Sequence, residues 1–164
     1  MDVQSLRPLA TTLDQQVQAS LALNELLGRE KALLTGTDAG AVEDIAAEKA
    51  ALLARLEGLE SERRQTLTRL GLGADASDID RLVSGSHDAL TKPTLTHIQG
   101  QWKTLLATME SCRQANEVNG EIVGIKQRQI RQLLNMLRTG RPDDLTYGPS
   151  GRTSSSLARG LARA

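Results

Sequence analysis

The sequence predicts an all-α protein: an elongated antiparallel bundle of three long, coiled-coil-like helices, with a short connecting helix and a flexible C-terminal tail. Composition is the first reason, because the 164 residues include 27 Leu and 19 Ala but one Trp, one Tyr and no Phe. Leu and Ala lose little entropy in a helix, whereas strands favour β-branched and aromatic residues. The second reason is that apolar residues recur at helical spacing along three long segments. We therefore expect a helical bundle domain over residues 1–140 and a tail over 141–164.

The first predicted helix covers residues 3–34. Its apolar residues mostly lie three or four positions apart, which places them on one face of a helix. Pro8 suits only the first turn, because proline lacks the main-chain donor that a helix interior requires, so the regular helix is expected to begin near it. The apolar face consists of Leu6, Leu9, Leu13, Val17, Leu21, Leu23, Leu27 and Leu34.

The second predicted helix covers residues 39–70 and follows a glycine-containing turn. A connector this short joins neighbouring helices as an antiparallel hairpin. Lys49 and Arg63 interrupt the apolar face of this helix, and the other faces are rich in Glu and Arg. The apolar face consists of Val42, Ile45, Leu52, Leu56, Leu59, Leu67 and Leu70.

Residues 71–92 break this periodicity and are expected to hold one short helix over about 77–83. The third long helix is predicted over 93–139, because Pro93 fits a first helical turn and the segment Thr139-Gly-Arg-Pro142 stops a helix. Its key positions alternate steps of three and four without a slip, which is typical of a coiled coil. We call these positions the seam: Leu95, Ile98, Trp102, Leu105, Met109, Cys112, Asn116, Asn119, Val123, Lys126, Ile130, Leu133 and Leu137.

The seam is polar at Asn116, Asn119 and Lys126. Polar residues at such positions can set the register or the choice of partner. Alternatively, a neighbouring helix ends at this level and the seam meets water there. The sequence leaves both interpretations open. Gly120 and Gly124 lie on the same stretch and predict the close approach of a neighbouring helix.

The residues that could carry catalytic or metal chemistry are few. His87 and His97 are the only histidines, and the sequence offers no partners at metal-ligand spacing, so no metal site and no cofactor are predicted. Cys112 and Trp102 lie on the seam and are interpreted as core residues. Cys112 is also the only cysteine, which excludes an internal disulfide. We therefore expect no enzymatic activity.

Charge and hydropathy limit the partners and the location. Twenty basic and twenty acidic residues balance, so no overall field attracts nucleic acid or anionic lipid. The N-terminus lacks the basic and apolar regions of a signal peptide, and no segment has the roughly 18 apolar residues of a membrane span. A cytoplasmic protein is expected, without nucleic-acid binding or membrane insertion.

The segments LLARLEGLESERR at 52–64, ANEVNGE at 115–121 and LTYGPSG at 145–151 occur in this order. Together they resemble the FlgN family of flagellar export chaperones. The most specific parts are Asn116-Glu-Val-Asn-Gly120 and Tyr147-Gly-Pro149. The segment at 52–64 is less specific, because any charged coiled coil has similar residues.

The resemblance implies a cytosolic type III export chaperone for the hook-associated proteins of the hook–filament junction. Such a chaperone binds the terminal helices of its clients and delivers them to the flagellar export gate. An alternative is a structural coiled coil for dimerisation or scaffolding, which would need no apolar residues in its tail. The residues expected to bind the partner are Ile130, Leu133, Leu134, Leu137, Tyr147, Leu157 and Leu161.

Overall fold

The computed structural model describes residues 2–36, 40–73, 76–85 and 89–139. All regular structure in these ranges is helical, which confirms the predicted all-α bundle. The three long helices and the short one lie within a few residues of their predicted ranges, and the last long helix is continuous. The helices are α1 (Val3–Thr35), α2 (Gly40–Arg69), α3 (Ala76–Ser84) and α4 (Lys92–Thr139).

The chain divides into two compact units, and the division falls within the sequence of α4. The first unit ends at Ile125 and the second begins at Lys126. In the second unit the described residues are 126–139, the last part of α4. The predicted boundary between a bundle and a tail at residue 140 lies at the edge of the described ranges and stays a prediction.

Contacts between side chains give the directions of the helices in the first unit. Glu30 on α1 pairs with Lys49 on α2 at 3.0 Å, whereas Gln16 donates to Glu60 at 3.5 Å. The partner number rises as the α1 number falls, so α1 and α2 form the predicted antiparallel hairpin.

Within the first unit, α4 runs parallel to α1. Asp14 lies 2.8 Å from the ring Nε2 of His97, and the main-chain carbonyl of Leu27 accepts from Asn119 at 2.9 Å. Both numbers rise together along the two helices. It follows that α4 is antiparallel to α2.

Capping interactions explain where α1 begins and where α2 ends. The Asp2 carboxylate caps α1 by accepting from the main-chain N–H of Ser5 at 2.8 Å, and this bond lowers the pKa of Asp2. Helix α1 therefore begins well before Pro8, and the expectation that it starts near Pro8 is wrong. At the end of α2, Gly71 adopts a φ of 75°, which favours glycine, and the N–H of Leu72 donates back to the Leu67 carbonyl at 3.0 Å.

The main core combines residues from all four helices. Ile79 of the short α3 is fully buried in it, so this helix closes the core rather than merely connecting its neighbours. The buried members of this core are Leu6, Leu9, Leu13, Val17, Leu67, Ile79, Leu82, Leu95, Ile98, Trp102 and Leu105. A second, smaller cluster contains Leu23, Leu27 and Cys112, with Leu52, Leu56 and Ala115 packed against it.

Three predicted core positions are wrong. Leu21 is 45% exposed, Met109 is 40% exposed and Val123 is 36% exposed. Ser20 and Thr108, the neighbours of the first two, are buried. Each buried hydroxyl donates to a carbonyl of its own helix, Ser20 to Val17 and Thr108 to Thr104, at 2.9 Å. A satisfied hydroxyl costs little to bury, so a small polar side chain can occupy an interior position.

The predicted close approach of a helix is also wrong at Gly120. A Cβ atom added at this residue would have no neighbour within 4 Å. Gly120 is exposed, so its lack of a side chain is not needed for packing within the described part of the chain.

Candidate partner-binding site

Asn119 is a buried hydrogen-bonding residue of the first unit. Its side chain is only 3% exposed, and its Nδ2 donates to the carbonyl of Leu27 at 2.9 Å and to the Glu30 carboxylate at 2.7 Å. The polar position in the seam thus meets polar groups of α1. The alternative that the seam meets water is wrong for this residue.

Lys49 extends the same network to α2. Its ammonium group donates to Glu30 at 3.0 Å and to the Asn116 side-chain oxygen at 2.7 Å. Three helices are therefore joined at one level by one carboxylate, one ammonium group and two amides. A slip of α4 by one turn would break these bonds, so the geometry favours the register interpretation for Asn116 and Asn119. Lys126, the third polar seam position, belongs to the second unit.

Replacing Asn119 with Ala should lower the free energy of unfolding by about 1–3 kcal/mol, because the change removes two donors from a buried site. Asn116→Ala is the matched control, since Asn116 is exposed and both changes gain similar helix propensity. The control should stay within about 0.5 kcal/mol. Urea unfolding followed by circular dichroism measures both, and a loss within about 0.5 kcal/mol for Asn119→Ala would contradict its register role.

Arg63, the other charged residue on the apolar face of α2, is buried rather than solvated. Its guanidinium donates to the Glu60 carboxylate at 2.7 Å and lies 4.9 Å from the ring centre of Trp102. Partial burial opposes ionisation of Glu60, but the bonds from Arg63 and Arg64 keep the pKa of Glu60 below its usual value. The ion pair and the contact with the ring offset part of the cost of burying a charged residue beside the main core.

Cys112 and His97, which could in principle serve catalysis or metal binding, have surroundings that suit packing and surface hydrogen bonding instead. Burial raises the pKa of the Cys112 thiol, which disfavours a reactive thiolate. His97 is exposed and bonds Asp14, whereas His87 lies outside the described residues. Among the described residues, no group of three or more His, Cys, Asp or Glu side chains could hold a metal ion.

Four of the predicted partner-binding residues form an exposed apolar set at the end of α4. Ile130, Leu133, Leu134 and Leu137 are between 52% and 82% exposed. In the first unit the same spacing of three and four buries Leu95, Ile98, Trp102 and Leu105, but here it leaves large apolar groups in contact with solvent. Exposed apolar groups arranged in this way mark interaction surfaces.

At 3.6 residues per turn, the four residues lie within an arc of about 100° around α4. We call them the apolar stripe. Met136 lies beside the stripe and is 46% exposed, but the sequence analysis missed it because it does not share the spacing of the seam. The remaining predicted partner-binding residues, Tyr147, Leu157 and Leu161, lie outside the described residues.

None of the described helices has the length and the apolar character that crossing a membrane requires.

Comparison with known proteins gives one informative match. The family model described as FlgN protein matches residues 1–155, which include Tyr147 but neither Leu157 nor Leu161. No curated protein and no solved structure matched the chain. Because the family match covers nearly the whole chain and agrees with the helical fold, the chain belongs to the FlgN family of flagellar export chaperones.

Proposed function

We propose that this export chaperone serves the hook-associated proteins of the hook–filament junction. It binds their terminal helices in the cytoplasm and delivers them to components of the flagellar export gate. The observation that carries the proposal is the apolar stripe, Ile130, Leu133, Leu134 and Leu137, which is exposed on a chain of this family.

The chemistry of the stripe suits an amphipathic helix as the ligand. Apolar residues at positions i, i+3, i+4 and i+7 are the anchors that helix-in-groove recognition uses. A client helix that lay along the stripe would shield these four side chains from water and bury its own apolar face. This supports a role in preventing the aggregation of subunits before export.

The tail is proposed to contribute a second part of the binding site. Its apolar residues, which include Tyr147, Leu157 and Leu161, are too few to build a core, but these three can serve as anchors. Removal of residues 141–164 should weaken the client complex at least about tenfold, or 1.4 kcal/mol, and should leave helicity nearly unchanged. Calorimetric titration of the full and shortened chains with a purified hook-associated protein measures the difference.

A deletion strain tests the function itself. Cells that lack this protein should build hooks but few filaments, because their junction proteins would be degraded or would not reach the export gate. Electron microscopy counts hooks and filaments, and immunoblots of cells and medium follow the junction proteins. A plasmid that carries the gene should restore the filaments.

Normal filament number and normal export of the junction proteins in the deletion strain would contradict the proposal. A chain that self-associates but does not bind purified junction proteins would instead favour the structural coiled coil.

A further inference from the structure

The charged side chains on the same segment as the apolar stripe are all basic. Residues 126–139 contain four basic side chains, Lys126, Arg128, Arg131 and Arg138, and no acidic one, so the net charge of the segment is +4. The whole chain has a net charge of zero, which makes this segment a local exception. A partner bound here meets a positive field.

Two of the arginines share one edge of the stripe. Arg131 and Arg138 are seven residues apart, so they lie on nearly the same side of α4, about 10 Å apart along its axis. Their side chains are exposed, and among the described residues no carboxylate forms an ion pair with either of them. Arg128 is also exposed but lies further round the helix, away from this edge.

We propose that the end of α4 selects amphipathic helices with acidic residues along one edge of their apolar face. This inference rests on the proposed function and adds the chemical class of helix that the chaperone accepts. The apolar stripe supplies contact area, and Arg131 and Arg138 pair with carboxylates spaced about two helical turns apart on the ligand. A helix with a neutral or basic edge binds more weakly, because it leaves the arginines without partners or repels them.

Two other ligands of the apolar stripe, a second copy of this chain and an anionic membrane, fit its charge and width less well. In a two-fold symmetric dimer through the stripe, a second copy of this chain would place another segment of net charge +4 against it, so like charges would oppose the contact. An anionic membrane would accept the charge, but an apolar arc of about 100° has the width of a helix–helix contact. In the first unit the same spacing packs α4 against other helices. The geometry therefore points to a protein helix.

Three synthetic helical peptides test the inference with the full chain. They share one apolar face and carry Glu, Gln or Lys along one edge, and their affinities are measured by fluorescence anisotropy at low and high salt. The Glu peptide should bind about tenfold more tightly than the Gln peptide at low salt, and the Lys peptide should bind most weakly. High salt should reduce these differences, because it screens exposed charges.

Substitutions test whether Arg131 and Arg138 cause the preference for the Glu peptide. Arg131→Gln combined with Arg138→Gln should reduce the preference for the Glu peptide to about twofold or less, and Arg128→Gln should leave it nearly unchanged. Circular dichroism checks that each variant keeps its helicity. Equal binding of the Glu and Gln peptides, or an equal effect of Arg128→Gln and Arg131→Gln, would overturn the inference.

Two further measurements separate the alternatives. Binding to vesicles that contain phosphatidylserine without binding to any peptide would overturn the inference in favour of a membrane. A dimer that Leu137→Ser dissociates would overturn it in favour of a second copy. If Leu133→Ser with Leu137→Ser abolishes peptide binding but edge charge has no effect, the inference fails and the proposed stripe stands. If those apolar changes have no effect on binding, the proposed function of the stripe fails.

Discussion

Replacing Leu13 with Ala should lower the free energy of unfolding by about 2–5 kcal/mol. Leu13 is fully buried in the main core, to which all four helices contribute, so the change removes apolar contacts and leaves a cavity in that core. The close packing of protein interiors prevents these neighbours from filling the space completely. Urea unfolding followed by circular dichroism measures the loss.

Leu21→Ala is the matched control for this prediction. Leu21 lies on the same helix and shares the predicted apolar face, but it is 45% exposed. The same chemical change there should cost about 1 kcal/mol or less, because less apolar area leaves water in the folded state. Similar losses for the two variants would show that the core of α1 faces another direction.

The double variant Leu133→Ser, Leu137→Ser should weaken binding of a hook-associated protein about 100-fold, or 2.7 kcal/mol. Both side chains are largely exposed in the free chain, and we propose that both are buried in the complex. Truncating apolar anchors at the centre of an interface removes most of its binding energy. The same change should have little effect on unfolding, since it removes no buried contact within the chain. Calorimetric titration with the purified client measures binding.

Leu106→Ser provides the control for the loss of an exposed apolar group. Leu106 also lies on α4 and is 49% exposed, but it is far from the stripe in sequence. Binding should change less than about twofold in this variant, because it makes no proposed contact with the client. An equal loss for Leu106→Ser and the double variant would indicate that recognition is spread along α4.

The sequence by itself determined the helices and their limits. Helix formation depends on neighbouring residues, and the chain supplies Leu and Ala in regular spacing, with Gly and Pro where helices end. The antiparallel hairpin of α1 and α2 followed from the short connector for the same local reason. Partner binding by Ile130, Leu133, Leu134 and Leu137 was predicted only through the family resemblance, and their exposure is a finding of the structure, since the same spacing upstream is buried.

Only the tertiary structure decided which polar residues enter the interior. Asn119 is buried because Leu27 and Glu30, which are 92 and 89 residues away along the chain, accept its hydrogen bonds. The guanidinium of Arg63 is buried against the ring face of Trp102. Such pairings arise when distant helices meet, so spacing along one helix does not reveal them. A buried polar group is tolerated when its partner is in place, and the position of that partner is a property of the folded chain.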